Sequence, residues 1–342
     1  MKAFVTGGTG FVGAHLVRAL LERGDEVRCL VRDPAKAGAL GWSSAVELVR
    51  GDLDDARALR EGCAGAEVVY HVAGRVSAPS PAAFMAANRD GTARVLEAAA
   101  VERPRRLLYV SSLAAAGPTL PGQPIDESRP PAPVTPYGRS KLAAELLVRA
   151  TPVPWTIVRP PTVYGERDRE LFKLFKLARA AVVPVFGDGS QELSVIYAAD
   201  LADAVIAAAT AQGSVGAVYY AAHPSVTTSR ELVRAIARAV GGRGDRVGRR
   251  GGRGGRGGAR REPRILPLPA PLARILLWMV GSLAHLAGRD TVLSADKAPE
   301  FLAPAWTCRP DALIRDTGWR AKVDLETGLR RTADWYRREG WL

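Results

Sequence analysis

The sequence predicts an α/β fold: a doubly wound parallel sheet with a smaller C-terminal cap domain. Two observations predict it. Short apolar runs alternate with amphipathic stretches from Lys2 to Arg159, and that alternation builds parallel sheets with helices on both faces. Beyond Arg159 the alternation loosens, and prolines and tryptophans accumulate towards the C-terminus.

The elements follow in order. Lys2 to Thr6 is an apolar first strand, then glycines, then an amphipathic helix from Phe11 to Arg23. Gly24 ends that helix, where a left-handed cap is expected. Strands are read at Glu26–Val31, Val46–Val49, Ala66–Val72 and Arg106–Ser111, with helices at Asp55–Cys63 and Pro81–Glu102 between them. A proline-rich loop, Pro118 to Pro136, precedes a helix at Tyr137–Arg149 and a sixth strand at Trp155–Arg159. Helices are read at Leu171–Arg179, Asp200–Thr210 and Arg230–Val240, and a strand at Val218–Ala221. The expected division is a nucleotide-binding domain of residues 1–165, to which 193–222 return. Residues 166–192 and 223–342 form the cap. Asp200 is read as a helix N-cap.

Gly7, Gly10 and Gly13 stand directly after a strand and at a helix start. Glycines there permit a tight turn and close approach of a pyrophosphate, and the helix N-terminus offers unpaired N–H groups. Phe11 and Val12 lie within the same turn. This is a Rossmann-type dinucleotide signature, and it is specific because of its context. The end of the second strand selects the cofactor. Arg32 stands where a 2′-phosphate would be met, which favours NADP over NAD. Asp33, one residue on, is the position an NAD reading would use.

Tyr137 and Lys141 are four apart on a helix and share a face. An ammonium beside a phenol favours the phenolate and lowers its pKa, which makes a tyrosine a proton donor and acceptor near neutrality.

These motifs agree with one family. Thr6-Gly-Gly-Thr-Gly-Phe-Val-Gly13, Gly51-Asp-Leu53, His71-Val-Ala-Gly74, Ser111-Ser112 and Tyr137-x-x-x-Lys141 resemble the extended short-chain dehydrogenase/reductases, the NAD(P)-dependent epimerase/dehydratase superfamily. The resemblance covers nearly the whole chain. It implies a catalytic Ser112, placed 25 residues before the tyrosine, in preference to Ser111. It implies that Tyr137 shuttles a proton and that Lys141 lowers its pKa and holds the nicotinamide ribose. Asp52 and Leu53 would contact adenine, and Val72, Ala73 and Gly74 would lie under the cofactor. Asn88, Ser111, Pro160 and Thr162 complete the cofactor set, and no metal is expected. The closing segment Pro310 to Trp319 also looks like the superfamily's, and a homodimer through two helices per subunit is implied by resemblance.

The segment Val158 to Glu166, with Val27 to Pro34, looks more like the 3β-hydroxysteroid dehydrogenase and dihydroflavonol reductase branch. An NAD(P)-dependent oxidoreductase for the alcohol and ketone of a small apolar substrate is therefore expected. A sugar or nucleotide-sugar epimerase or dehydratase is the alternative; a threonine at 162, where UDP-hexose epimerases commonly carry asparagine, counts against it.

Charge narrows the partners. The net charge is +13, of which nine arginines against Asp245 and Glu262 place +7 between Gly241 and Arg264. The basic balance is thus half local, not a global nucleic-acid surface. The tract 241–264 contains three Arg-Gly-Gly units without an aromatic residue. It is expected to be a solvated, disordered insert. A cofactor-binding protein with an RNA-binding insert is the third class of reading, and nucleic acid is disfavoured. The apolar stretch 266–287 is too short to span a bilayer, which takes about 20 residues. It is read first as a cap helix lining the pocket, with peripheral membrane contact left open. Three cysteines without metal-ligand spacing, and an N-terminus that runs straight into a strand, suggest a cytoplasmic protein.

Overall fold

The computed structural model describes residues 1–42, 45–241, 263–286 and 291–342. Most of the arginine-glycine tract, 242–262, lies outside the described residues. The elements run β1 (Lys2–Thr6), α1 (Phe11–Glu22), β2 (Glu26–Val31), α2 (Pro34–Gly38), β3 (Val46–Arg50), α3 (Ala56–Cys63) and β4 (Val68–His71). Next come α4 (Pro81–Phe84), a π-helical turn (Met85–Asp90), α5 (Gly91–Glu102), β5 (Arg106–Val110), α6 (Pro136–Ala150) and β6 (Trp155–Arg159). The single helix expected over Pro81–Glu102 is thus interrupted by a π turn, and that turn carries Asn88.

The strands form one parallel sheet in the order β10-β6-β5-β4-β1-β2-β3, with β10 (Ala217–Tyr220) at its edge. Chain order reverses between β1 and β4, and ligands bind at such a switch point, outside the strands' carboxyl ends. Buried apolar side chains fill both faces, as a sheet covered on each side requires. Val5, Leu16, Val17 and Leu20 pack on one face, and Phe4, Leu59, Val95 and Leu107 on the other.

The cap is built from β7 (Thr162–Tyr164), α7 (Arg169–Leu177), β8 (Val182–Phe186) and β9 (Glu192–Tyr197), with later elements added. After β9 the chain passes through α8 (Ala198–Thr210), which packs on the large sheet's core, and reaches β10. Then follow β11 (Val226–Thr228), α9 (Ser229–Gly241), β12 (Arg264–Leu268) and α10 (Ala270–Leu286). The chain closes with α11 (Ala298–Phe301), β13 (Ala305–Trp306), α12 (Asp311–Thr317) and α13 (Leu325–Arg338). β9 pairs with β7, β11 and β13, and β12 pairs with β8 in a separate two-stranded ribbon.

Three sequence expectations need correction. The cap does not run unbroken over 223–342, because Leu313 and Trp319 pack in the large sheet's core. Of 193–222, only α8 and β10 join the large sheet, since β9 belongs to the small one. Asp200 is not the N-cap of α8, whose N-cap is Tyr197. Its carboxylate instead accepts the backbone N–H groups of Lys322 and Val323 at 3.0 and 2.9 Å, and its carbonyl accepts from the Trp319 indole at 3.2 Å. Asp200 therefore fastens the closing segment to the nucleotide-binding half.

Candidate active site

The turn after β1 sets the site's floor. Gly7 has φ 75°, in the left-handed region, and a Cβ there would lie 2.6 Å from the Ala73 nitrogen. A Cβ on Gly13 would lie 2.1 Å from the Gly7 carbonyl oxygen. Any side chain at either place would push the turn, α1 and the β4 loop apart. Gly10 is the N-cap of α1 and makes no side-chain cap, so the first N–H groups of the helix face outward without a competing side chain. The residues present fit a dinucleotide: a cradle too tight for a Cβ, a helix N-terminus above it, and Val72-Ala73-Gly74 at the end of β4. Phe11 and Val12 open α1, with the Phe11 ring set edge-on to His15 at 5.8 Å.

Several polar side chains hold this floor rather than project from it. His71 is buried, with Nδ1 2.7 Å from the Thr6 hydroxyl and Nε2 2.9 Å from that of Thr92. Burial pulls its pKa down to about 3, so the ring is neutral. Asn88 is also buried. Its Oδ1 accepts the Arg75 N–H at 2.7 Å, and its amide donates to the Arg75 carbonyl and to the Ser140 hydroxyl. Asn88 was expected among the cofactor contacts. Here its amide clamps the loop after β4 to α6, so it bears on the cofactor loop through Arg75. Leu53 packs where a Cβ on Gly91 would touch it at 2.8 Å, and the Asp52 carboxylate caps the Asp54 N–H at 2.9 Å.

The catalytic candidates meet at the ends of β5 and α6. Ser111 is buried and donates to Glu145 at 2.5 Å, whereas Ser112 stays partly open. Ser112, whose Oγ accepts the Ala114 N–H at 3.1 Å, is the one of the two able to face a substrate, and its hydroxyl lies near enough to Tyr137 to act on the phenol. Thr135 caps α6 by accepting the Gly138 N–H at 3.1 Å, and this fixes the turn that presents Tyr137. Lys141 is almost wholly buried. Its ammonium donates to the Val110 carbonyl at 2.8 Å and lies 4.3 Å from the centroid of the Tyr109 ring. Burial brings its pKa down to about 7, against the pull of Glu145 one turn on.

The expected lowering of the Tyr137 pKa by Lys141 is not what this geometry gives. Burial pushes the phenol up to about 12, offset in part by the Ser112 hydrogen bond, and Glu300 raises it further. Lys141 points down at the β5 backbone instead of along the phenol. The cation over the Tyr137 ring is Lys297, at 4.4 Å from the centroid.

A buried ionic network lies behind the site. Arg159 donates to Glu145 through Nε at 2.9 Å and through a terminal nitrogen at 2.6 Å, and it also reaches the Tyr220 hydroxyl at 3.1 Å. Glu145 and Arg159 are both almost fully buried. Sequence reading missed this pair, although Glu145 is four residues after Lys141 and so on the same helix face. Pro160 follows directly, and its carbonyl accepts the Leu113 N–H at 2.8 Å, which ties the β6 end to the loop after Ser112. Thr162 starts β7, paired with Val195.

The other end of the cradle is lined by Arg32, Arg50, Gly51, Asp52 and Asp55, around a cleft of about 220 Å³. Asp33 is the N-cap of α2, accepting the Ala35 N–H at 3.0 Å. Arg50 is a second cation that sequence reading did not select; its place at the end of β3, before Gly51, was the available signal. Among the described residues, no three His, Cys, Asp or Glu side chains are grouped to hold a metal ion. Cys29, Cys63 and Cys308 are free and buried.

This fold and this cluster define a nicotinamide-dependent enzyme acting on CH–OH groups. The chain belongs to the NAD dependent epimerase/dehydratase family, whose pattern matches residues 3–222. It is 35% identical over 342 residues to a ceramide reductase of Caulobacter vibrioides, covering 99% of this chain and 95% of that one. It is 29% identical to a 2-alkyl-3-oxoalkanoate reductase of Stenotrophomonas maltophilia, covering 97% and 98% of the two chains. The fold also matches a UDP-glucose 4-epimerase of Thermus thermophilus solved with NAD, at TM-score 0.73 and 24% identity, covering 98% of this chain and 99% of that one.

Proposed function

We propose that this protein is an NADP-dependent oxidoreductase that interconverts a secondary alcohol and a ketone on an apolar, lipid-like substrate. The observation that carries this reading is the pairing of Ser112 with Tyr137 at the mouth of the glycine cradle, above a buried Lys141. Ser112 and the Tyr137 hydroxyl converge on one point, where a ketone oxygen would accept two hydrogen bonds. Tyr137 gives its proton to that oxygen in the reducing direction and takes it back in the oxidising one. Lys141, which donates to the Val110 carbonyl at 2.8 Å, would hold the nicotinamide ribose when the cofactor is bound. A nicotinamide cofactor, when bound, supplies or accepts the hydride. Gly7, Gly10, Gly13, Val72, Ala73 and Gly74 would hold its pyrophosphate, and Asp52 and Leu53 its adenine.

NADP is favoured because Arg32 and Arg50 line one cleft at the adenosine end, while the Asp33 carboxylate is already engaged as a helix cap. Two guanidiniums suit a 2′-phosphate. The reductase relatives support the apolar substrate. The cap also holds an apolar cleft of about 480 Å³, lined by Arg274, Ala295, Ala298, Pro299, Leu302 and Ala303, on the far side of α11 from Tyr137.

The same reading assigns the protein to the cytoplasmic face of an anionic bilayer. On α10, Ala273 and Leu277 are buried, while Leu272, Ile275, Leu276, Met279 and Leu283 are 41–63% exposed. At 100° per residue those five fall on one arc. Residues 263–286 contain no acidic side chain and include Arg264, which complements anionic lipid. No helix among the described residues is long and apolar enough to cross a membrane. A homodimer through α5 and α6 belongs to this proposal, and exposed Val101 and Leu146 on those helices support it.

The test is oxidation of NADPH by the purified protein in the presence of a long-chain ketone. Ketone-dependent consumption of NADPH in preference to NADH is expected. A protein that keeps NAD through purification and interconverts UDP-sugars, without net cofactor consumption, would overturn the reading.

A further inference from the structure

The cap contributes one residue to the catalytic cluster that the motifs do not contain. Lys297, just before α11, is buried, and its ammonium lies over the Tyr137 ring at 4.4 Å. Its hydrogen bond goes to Glu300, at 2.8 Å. An ammonium has three donors. One is engaged by Glu300 and one face is turned on the aromatic ring, so donor capacity remains beside the reacting phenol. A buried donor left without an acceptor is costly. An ammonium kept there is therefore suited to an acceptor that arrives with the substrate.

The segment that carries Lys297 is anchored. The Gln191 side-chain amide donates to the Ala303 carbonyl at 2.7 Å, and the Trp306 indole donates to the Glu300 carbonyl at 2.8 Å. Glu300 also steers the ammonium. The outer side of the same segment, at Ala298, Pro299 and Leu302, walls the apolar cleft of the cap. Polar recognition and apolar space thus lie on opposite sides of one short helix.

We infer that Lys297 is a substrate-recognising residue that binds a second carbonyl-type oxygen near the reacting ketone, so that the preferred substrate is a 3-oxoacyl compound. The ketone oxygen goes to Ser112 and Tyr137. Lys297 lies over the ring and not in line with its hydroxyl, so it meets an oxygen displaced from the ketone by a short stretch of skeleton. This rests on the reductase reading above and narrows its substrate class.

The experiment compares two probes of equal chain length, an N-alkyl 3-oxoamide and a plain long-chain ketone, each with NADPH. The wild type is expected to prefer the oxoamide. Lys297→Met lowers kcat/KM for the oxoamide by about 10–100-fold, the worth of a hydrogen bond to a charged group, mostly through KM. The same variant costs the plain ketone less than the oxoamide, so the preference for the oxoamide collapses, because the plain ketone offers the ammonium no second acceptor. Lys297→Arg restores most of the preference, and Glu300→Gln, which keeps the ammonium, retains it. Equal losses on both probes would mean that Lys297 acts through Tyr137 or through folding, and the inference falls. It falls too if Lys297→Met loses nothing, or if the wild type reduces the plain ketone and not the oxoamide; in both cases the reductase reading survives. A wild type that reduces neither probe with either cofactor removes the reading and this inference together.

Discussion

The carboxyl edge of the large sheet and the outer face of the cap use side chains in opposite ways. At the sheet edge, polar groups are buried and paired with one another: His71 between two threonines, Asn88 on the Arg75 backbone, Glu145 on Ser111 and Arg159. On α10, large apolar side chains are exposed, with none of the described residues covering them. A catalytic edge must hold a few atoms in fixed positions, and paired buried polar groups do that. A face for lipid needs apolar area and little geometry. Under the proposed lipid contact, mutations should register as activity and stability at the edge and as location at the cap.

The largest effect expected is at Tyr137. Tyr137→Phe removes only the hydroxyl and should lower turnover by about 10²–10⁴-fold, the usual share of a positioned acid and base. NADPH affinity, read by fluorescence titration, should be unchanged. Near-normal turnover would break the assignment of the edge as catalytic. Next is the buried pair. Arg159→Met leaves Glu145 buried without its main partner and should cost about 3–5 kcal/mol in denaturant unfolding. A cost below 1 kcal/mol would mean that the edge is less tightly specified than its hydrogen bonds indicate.

Lys141 sharpens the contrast through pH. Its folded pKa, about 7, lies below its ordinary value of 10.5. The folded state therefore binds this proton more weakly than the unfolded chain does. The cost of burying the charge is full below about pH 7 and fades as pH rises towards 10.5. Wild-type stability should rise relative to Lys141→Met between pH 7 and 9.5, measured as the difference in urea midpoints; a flat difference would contradict it. The smallest change in stability is expected on the cap. Replacing Leu276, Met279 and Leu283 with serine should shift stability by about 0.5 kcal/mol or less per site, as exposed substitutions do. Sedimentation with vesicles containing phosphatidylglycerol should fall sharply. Retained binding would sink the membrane assignment while leaving the catalytic edge untouched.

Legibility followed the same division. The glycine turn, the six leading strands and the helix that carries Tyr137 and Lys141 were readable, because each rests on local spacing or on a single backbone requirement, whereas Ser112 came only through the family resemblance. Gly7 and Gly13 are glycines since nothing larger fits. The π turn at Asn88, the Glu145–Arg159 pair and the placement of Arg50 beside Arg32 were not readable. Each depends on residues that meet only when distant strands and helices pack. The Asp200 error has the same cause: a carboxylate near a helix start looks like a cap, and only the return of residues 322 and 323 shows what it binds.

By itself the sequence determined that this chain builds a dinucleotide-binding sheet and places a tyrosine and a lysine on one helix face. Those outcomes follow from periodicity and from glycine's freedom near the chain's start, which act over a few residues. Tertiary structure alone decided which cation stands over the tyrosine. Lys297 is 160 residues from Tyr137 in sequence, and no local pattern connects them. Only the closing of the cap, pinned by Gln191 and Trp306, brings that ammonium to the ring.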